Sequence, residues 1–209
     1  MIGLVELKKR ISYQTLLLAG FALLASALLG LADVNTRDAI KLRQEEDLRA
    51  SLSEVVPDSL YDNNLLEDTR NIASDNDMLG SDKTLVYLGR KQGKVNAVAF
   101  RLAAPDGYSG AISLIMGVDK NGNVLGVRVI AHAETPGLGD KIEAGKSEWI
   151  KSFAGRSLQN MTREQWAVKK DGGEFDQFSG ATITPRAVVK AVHQGLQFFD
   201  NHRTELLAD

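Results

Sequence analysis

The chain has 209 residues, a formal net charge of −2, 44% hydrophobic and 25% charged residues. That is the balance of a folded domain without the basic face that nucleic-acid binding requires. With no cysteine, it excludes disulfides, thiolate metal sites, iron–sulfur ligation and cysteine nucleophiles, and His132, His193 and His202 are too scattered in sequence to suggest a metal cluster.

Residues 11–32 contain no charged side chain. At 1.5 Å per residue this run can cross a hydrocarbon core about 30 Å thick. Its leucines and Phe21 are spread around a helix rather than along one stripe, which suits lipid on all sides. Lys8, Lys9 and Arg10 precede it, while Asp33, Arg37 and Asp38 follow with mixed sign. The lysine/arginine bias therefore predicts a cytoplasmic N-terminus over residues 1–10, a single transmembrane helix over 11–32, and everything later on the opposite side. A cleaved signal peptide with Ala25-Ser26-Ala27 as its small-residue site is the competing reading, but the apolar run continues past that site.

Residues 33–56 predict a charged helix that stops before Pro57, with an apolar set at Leu48, Leu52, Val55 and Val56. Residues 58–82 are rich in Asn and Asp and predict loops. Residues 33–83 thus form a juxtamembrane and connecting segment, and residues 84–209 the main domain. There the runs 84–90 and 95–102 flank Lys91-Gln92-Gly93, and 111–118 and 124–130 flank a turn containing Asn121-Gly122, both hairpin signals. Short helices are expected over 147–153 and 162–165, a strand over 166–168, and a last helix from Pro185 to about His202, where Val188, Val192, Leu196 and Phe199 recur at helical spacing. Strands first and helices later predict an α+β domain, with a mostly antiparallel sheet and flanking helices.

Two glycine-bearing stretches could carry chemistry. The first, Glu134-Thr135-Pro136-Gly137-Leu138-Gly139-Asp140-Lys141, frees backbone N–H groups to approach a flat or anionic ligand, and Leu138 could lie against an aromatic ring. It has neither P-loop spacing nor a dinucleotide fingerprint, and an ordinary turn explains it equally well. The second, Asp176-Gln177-Phe178-Ser179-Gly180-Ala181-Thr182, is a turn of small residues leading into the last helix, whose start favours an anion. Thr184 is expected to be the N-cap and Pro185 the first helical residue. Ser179 lacks a nucleophile elbow, so a Ser-His-Asp hydrolase is disfavoured.

Together with Ala104-Pro105-Asp106-Gly107-Tyr108-Ser109-Gly110, these two stretches resemble the covalent FMN-binding domain family. That family is found in flavin-carrying subunits of the Rnf (Rsx) electron transport complex and of the sodium-pumping NADH:quinone oxidoreductase. The likeness runs from about Val95 to Phe199, and the single anchor agrees in architecture; residues 33–82 match nothing in it. The resemblance implies FMN joined through its phosphate to a threonine hydroxyl, a bond made by a separate magnesium-dependent flavin transferase. The acceptor closes the Asp-x-x-Ser/Thr-Gly-Ala-Thr pattern, which falls on Thr182, with Asp176 at the acidic position. Ser179, Gly180 and Ala181 would surround the attachment. Glu134, Thr135, Gly137, Leu138 and Gly139 would contact the flavin, and Lys141 would be a cation near its reduced form.

The implied function is an electron carrier in a bacterial inner-membrane complex that moves electrons between NADH and ferredoxin, coupled to ion movement. The main domain would be periplasmic and the partners the other subunits. No independent turnover is expected, because no acid/base or nucleophile constellation is present. A membrane-anchored flavin sensor is the alternative reading.

Overall fold

The computed structural model describes residues 11–73 and 82–208, with side chains from Tyr13 onward; the expected cytoplasmic segment 1–10 and residues 74–81 of the expected loop region lie outside the described residues. Two compact units are present, Met1–Asp47 and Leu48–Asp209.

A single helix, α1, covers Ile11–Val55, so the two helical stretches expected over 11–32 and 33–56 are continuous. Within the first unit its apolar residues find no protein partner surface: Leu16, Leu18, Leu23 and Leu29 are each more than 70% exposed. An 18-residue window reaches a mean hydropathy of 2.2, so the helix is long and apolar enough to cross a membrane. Beyond that window the sequence turns charged, and pairs such as Arg43 with Glu46, at 2.8 Å, bridge successive turns. Pro57 cannot continue the helix, which ends at Val55.

The second unit is a five-stranded antiparallel sheet in simple meander order. Its strands are β1 (Thr69–Ala73), β2 (Lys83–Lys91), β3 (Lys94–Ala104), β4 (Ile112–Asp119) and β5 (Val124–Ala131). Gln92 and Gly93 both take positive φ, 54° and 79°, the backbone that a two-residue hairpin between right-twisted strands demands. In the next hairpin the Asp119 carboxylate accepts the N–H groups of Asn121 and Asn123 at 2.8 and 2.9 Å, and Gly122 supplies φ +91°. β1 is a strand where loops were expected. It pairs along β2 from Thr69↔Tyr87 to Ala73↔Lys83, but only Ile72 is buried, so its sequence carries no readable alternation. The strand expected over 166–168 reduces to one bridge, Val168 with Phe175.

The sheet buries both faces. On one lies α2, Ile183–Asn201, whose Val188, Val192, Leu196 and Phe199 pack with Phe100, Leu102, Leu114 and Met116. Phe198 meets Phe100 edge-on at 5.2 Å. Gly195 lets the helix sit close, since a Cβ there would lie 2.7 Å from Met116 Cε. On the other face Leu52 and Val55 at the end of α1, and Val56 just after it, cluster with Leu65, Tyr87, Ala99 and Ile115. Gly117 leaves room for it; a Cβ there would stand 2.0 Å from the Val55 carbonyl oxygen. A four-residue helix, α3 (Arg203–Leu206), closes the chain against the main core through Leu206.

Candidate functional site

Pairing of Ala104 with Ile112 and of Ser113 with Ala131 brings the β3–β4 connection and the segment after β5 to one end of the sheet. The start of α2 meets them there. Between the three lies a cavity of about 320 Å³, lined by Tyr108 from the first loop, Glu134, Thr135, Leu138 and Gly139 from the second, and Gly180 to Thr184 from the third. This is at the small end of ligand-pocket sizes, roughly 300–1,000 Å³.

Each loop has a local reason for its path. Gly137 has φ +79°, and the N–H groups of Leu138 and Gly139 both donate to the Thr135 carbonyl at 3.1 and 3.2 Å. Gly180 has φ +80°, and the Ala181 N–H closes the turn onto Phe178 O at 3.1 Å. That turn is fixed from outside by Trp149, whose indole N–H donates to Asp176 O at 2.7 Å while its ring meets Phe178 edge-on at 5.1 Å. Three ion pairs, Lys190 with Asp106, Arg186 with Asp171 and Lys169 with Asp176, each at 2.6 Å, hold the surrounding segments.

The helix begins differently from the sequence expectation. Thr182 is the N-cap, at φ −75° and ψ −26°, and its side chain makes no capping hydrogen bond. Thr184 therefore lies inside the first turn, and Pro185 is the third helical residue rather than the first. Fully buried, Thr184 donates its hydroxyl to Glu134 Oε2, whereas Thr182 is half-buried in the cavity wall. Thr184 has the spacing of a cap but is bonded across the fold.

Glu134 is 4% exposed, and its second oxygen accepts the Ser109 N–H at 3.2 Å. Its own N–H donates to His132 Nδ1 at 3.0 Å, which leaves His132 Nε2 to donate to Glu143 at 2.8 Å. Lys146 bridges Glu143 at 2.6 Å and the buried Asp140 at 2.9 Å. Lys146 first, then His132, holds the Glu143 carboxyl below its ordinary range. The Gly137 N–H, followed by Lys146, does the same for Asp140. No group of three His, Asp or Glu side chains that could hold a metal occurs among the described residues.

Of the residues picked out by sequence, Glu134, Thr135, Leu138, Gly139, Gly180, Ala181 and Thr182 line the cavity; Gly137, Ser179 and Lys141 do not. Tyr108, Ile183 and Thr184 complete the wall. Tyr108 stands in a loop legible from its glycines, but nothing local marks its ring as a wall, and Trp149 acts from a segment that reads only as a short helix.

Fold and site define a flavin domain. The FMN-binding domain family matches residues 107–197, a span holding the latter part of the first loop, the other two loops and most of α2. The chain is 52% identical over 193 residues to the G subunit of the ion-translocating oxidoreductase complex of Cereibacter sphaeroides, covering 92% of this chain and 86% of that one. To the corresponding protein of Pseudomonas aeruginosa it is 49% identical over 194 residues, covering 92% and 90%. To that of Vibrio vulnificus it is 47% identical over 193 residues, again covering 92% and 90%. The chain belongs to the family of ion-translocating oxidoreductase complex G subunits.

Proposed function

We propose that this chain carries electrons within a membrane-bound complex that couples electron transfer between NADH and ferredoxin to ion translocation, using FMN attached covalently through its phosphate to Thr182. The observation that carries this reading is the difference between the two threonines. Thr182 lines the cavity, half-buried and with no capping hydrogen bond from its side chain, while Thr184 is fully buried and its hydroxyl is bonded to Glu134. The residues fit a flavin. Leu138, Tyr108 and Ile183 give exposed apolar surface at the cavity, 41%, 68% and 46% exposed, for a ring to cover. Gly139 and Gly180 bring backbone close, and the start of α2 favours the single negative charge of a phosphodiester. In this reading Thr135 and Gly137 would shape the loop that meets the flavin, Ser179 and Ala181 would flank the attachment, and Lys141, outside the cavity wall, would serve as a cation for the reduced cofactor.

FMN supplies the redox chemistry, taking one or two electrons; the chain fixes its position and electrostatics. Residues 11–32 cross the bacterial inner membrane with residues 1–10 in the cytoplasm, so the domain is periplasmic and residues 33–47 lead into it. A tether has physical sense there, because a covalent cofactor cannot dissociate into a compartment poor in free FMN. Partners are the other subunits of the complex and a flavin transferase for maturation. Peptide mapping by mass spectrometry after co-expression with a flavin transferase tests the assignment. FMN mass on the peptide bearing Thr182, lost in Thr182→Ala and kept in Thr184→Ala, is the expected result; an adduct on Thr184, or none, overturns it.

A further inference from the structure

Glu134 is a buried acidic side chain in the cavity wall, and neither of its hydrogen-bond partners carries charge. Its partners are the Thr184 hydroxyl and the Ser109 N–H, both neutral. Among the described residues no lysine, arginine or histidine forms an ion pair with it; Lys146, the cation of the neighbouring network, serves Asp140 and Glu143 instead. The carboxylate is also fixed in place. A Cβ on Gly139 would lie 2.7 Å from Oε2 and one on Gly107 3.0 Å from Oε1, so backbone closes on it from two loops. A structural junction alone would be served as well by a neutral amide. A glutamine in its place could accept the Ser109 N–H through its oxygen and donate its NH₂ to a rotated Thr184 hydroxyl. What only the carboxylate adds is charge.

We propose that Glu134 is a potential-setting residue, whose fixed negative charge in the cavity wall disfavours negative charge on the bound flavin and holds it at low potential. This rests on the reading that FMN occupies the cavity. A bound flavin would gain negative charge with each electron it accepts, until a proton from solvent followed. A like charge in a site partly shielded from water raises the energy of that state. The electron is then held less tightly and passes more readily to the next carrier. Glu134 acts through its field and is not a catalytic residue.

The test is a potentiometric titration of the flavin-loaded full-length protein, with dithionite as reductant. Glu134→Gln is expected to raise the ratio of reduced to oxidised flavin at a fixed potential at least tenfold, which is about 59 mV for a one-electron couple. Glu134→Asp, which keeps the charge, should stay within threefold of the wild type. A loaded Glu134→Gln protein within twofold of the wild type, or an Asp variant shifted as far as Gln, overturns the proposal while the flavin reading stands. A wild-type protein without FMN removes both. If Glu134→Gln does not accumulate in loaded form, redox difference infrared spectroscopy of the wild type decides. Carboxylate bands that shift with ¹³C-glutamate labelling and change on flavin reduction support the proposal; their absence overturns it.

Discussion

Thr184 donates its hydroxyl to the buried carboxylate of Glu134, fifty residues upstream, and so ties the start of α2 to the loop that follows β5. Ser109 N–H binds the other oxygen, which brings the β3–β4 loop into the same junction. Three segments far apart in sequence share one carboxylate, and the cavity is the space they leave. Thr184→Ala removes one of two donors from a buried charged group. A loss of roughly 1–3 kcal/mol is expected, read from urea denaturation, with Thr184→Ser retaining most of the stability. Were Thr184→Ser as damaging as Thr184→Ala, packing of the methyl rather than the hydroxyl would be the important contact.

Gly117→Ala tests how the end of α1 is held. Its Cβ would meet the Val55 carbonyl at 2.0 Å, backbone against backbone, so the helix end must lift from the sheet. Overpacking of this kind costs typically about 1–3 kcal/mol. Limited proteolysis is expected to cut near residues 48–56 faster in the variant, while Gly30→Ala, at a position with nothing within 4 Å, changes neither readout.

Trp149 holds the turn over residues 176–181 without lining the cavity. Trp149→Phe keeps a ring against Phe178 but loses the N–H donated to Asp176 O; Trp149→Leu loses both. The aromatic pair is worth about 0.5–1.5 kcal/mol beyond burial. Amide exchange over residues 176–181 should quicken in the order wild type, Phe, Leu, and FMN loading by the transferase should slow in the same order. Equal exchange in all three proteins would show that the turn is held by its own glycine geometry.

Acid should destabilise the domain in two stages. Burial, then the nearby Arg163, lowers the His193 pKa, so the unfolded chain takes up a proton that the folded one resists, and stability falls as pH drops below the ordinary histidine value of about 6.5. Asp140, Glu143 and Asp171 are depressed chiefly by the Gly137 N–H, Lys146 and Arg186 respectively. Their contribution is present above the unfolded carboxylate values and is lost as pH falls through the lower folded ones. Thermal unfolding from about pH 8 to about pH 3 should show both stages, and His193→Gln should flatten the first and leave the second. A first stage that persists in that variant would show that His193 is not its source.

Periodicity and punctuation settled much of this protein. An uncharged run as long as a bilayer is thick, hairpin turns built on Gly93 and Gly122, and a helix with apolar residues three and four apart are local signals, and local physics reads them. The three glycine-bearing stretches are equally visible, and their resemblance to a flavin-binding family is legible before any geometry. Tertiary structure decided the rest, because the deciding contacts join distant parts of the chain. β1 is a strand because β2 offers it a ladder, and the end of α1 joins the core because Gly117 leaves room. Thr184 has the spacing of a cap, yet its hydroxyl serves Glu134. A side chain able to bond either its own helix or a distant carboxylate has no local preference strong enough to choose, and the fold chooses by burying the carboxylate beside it.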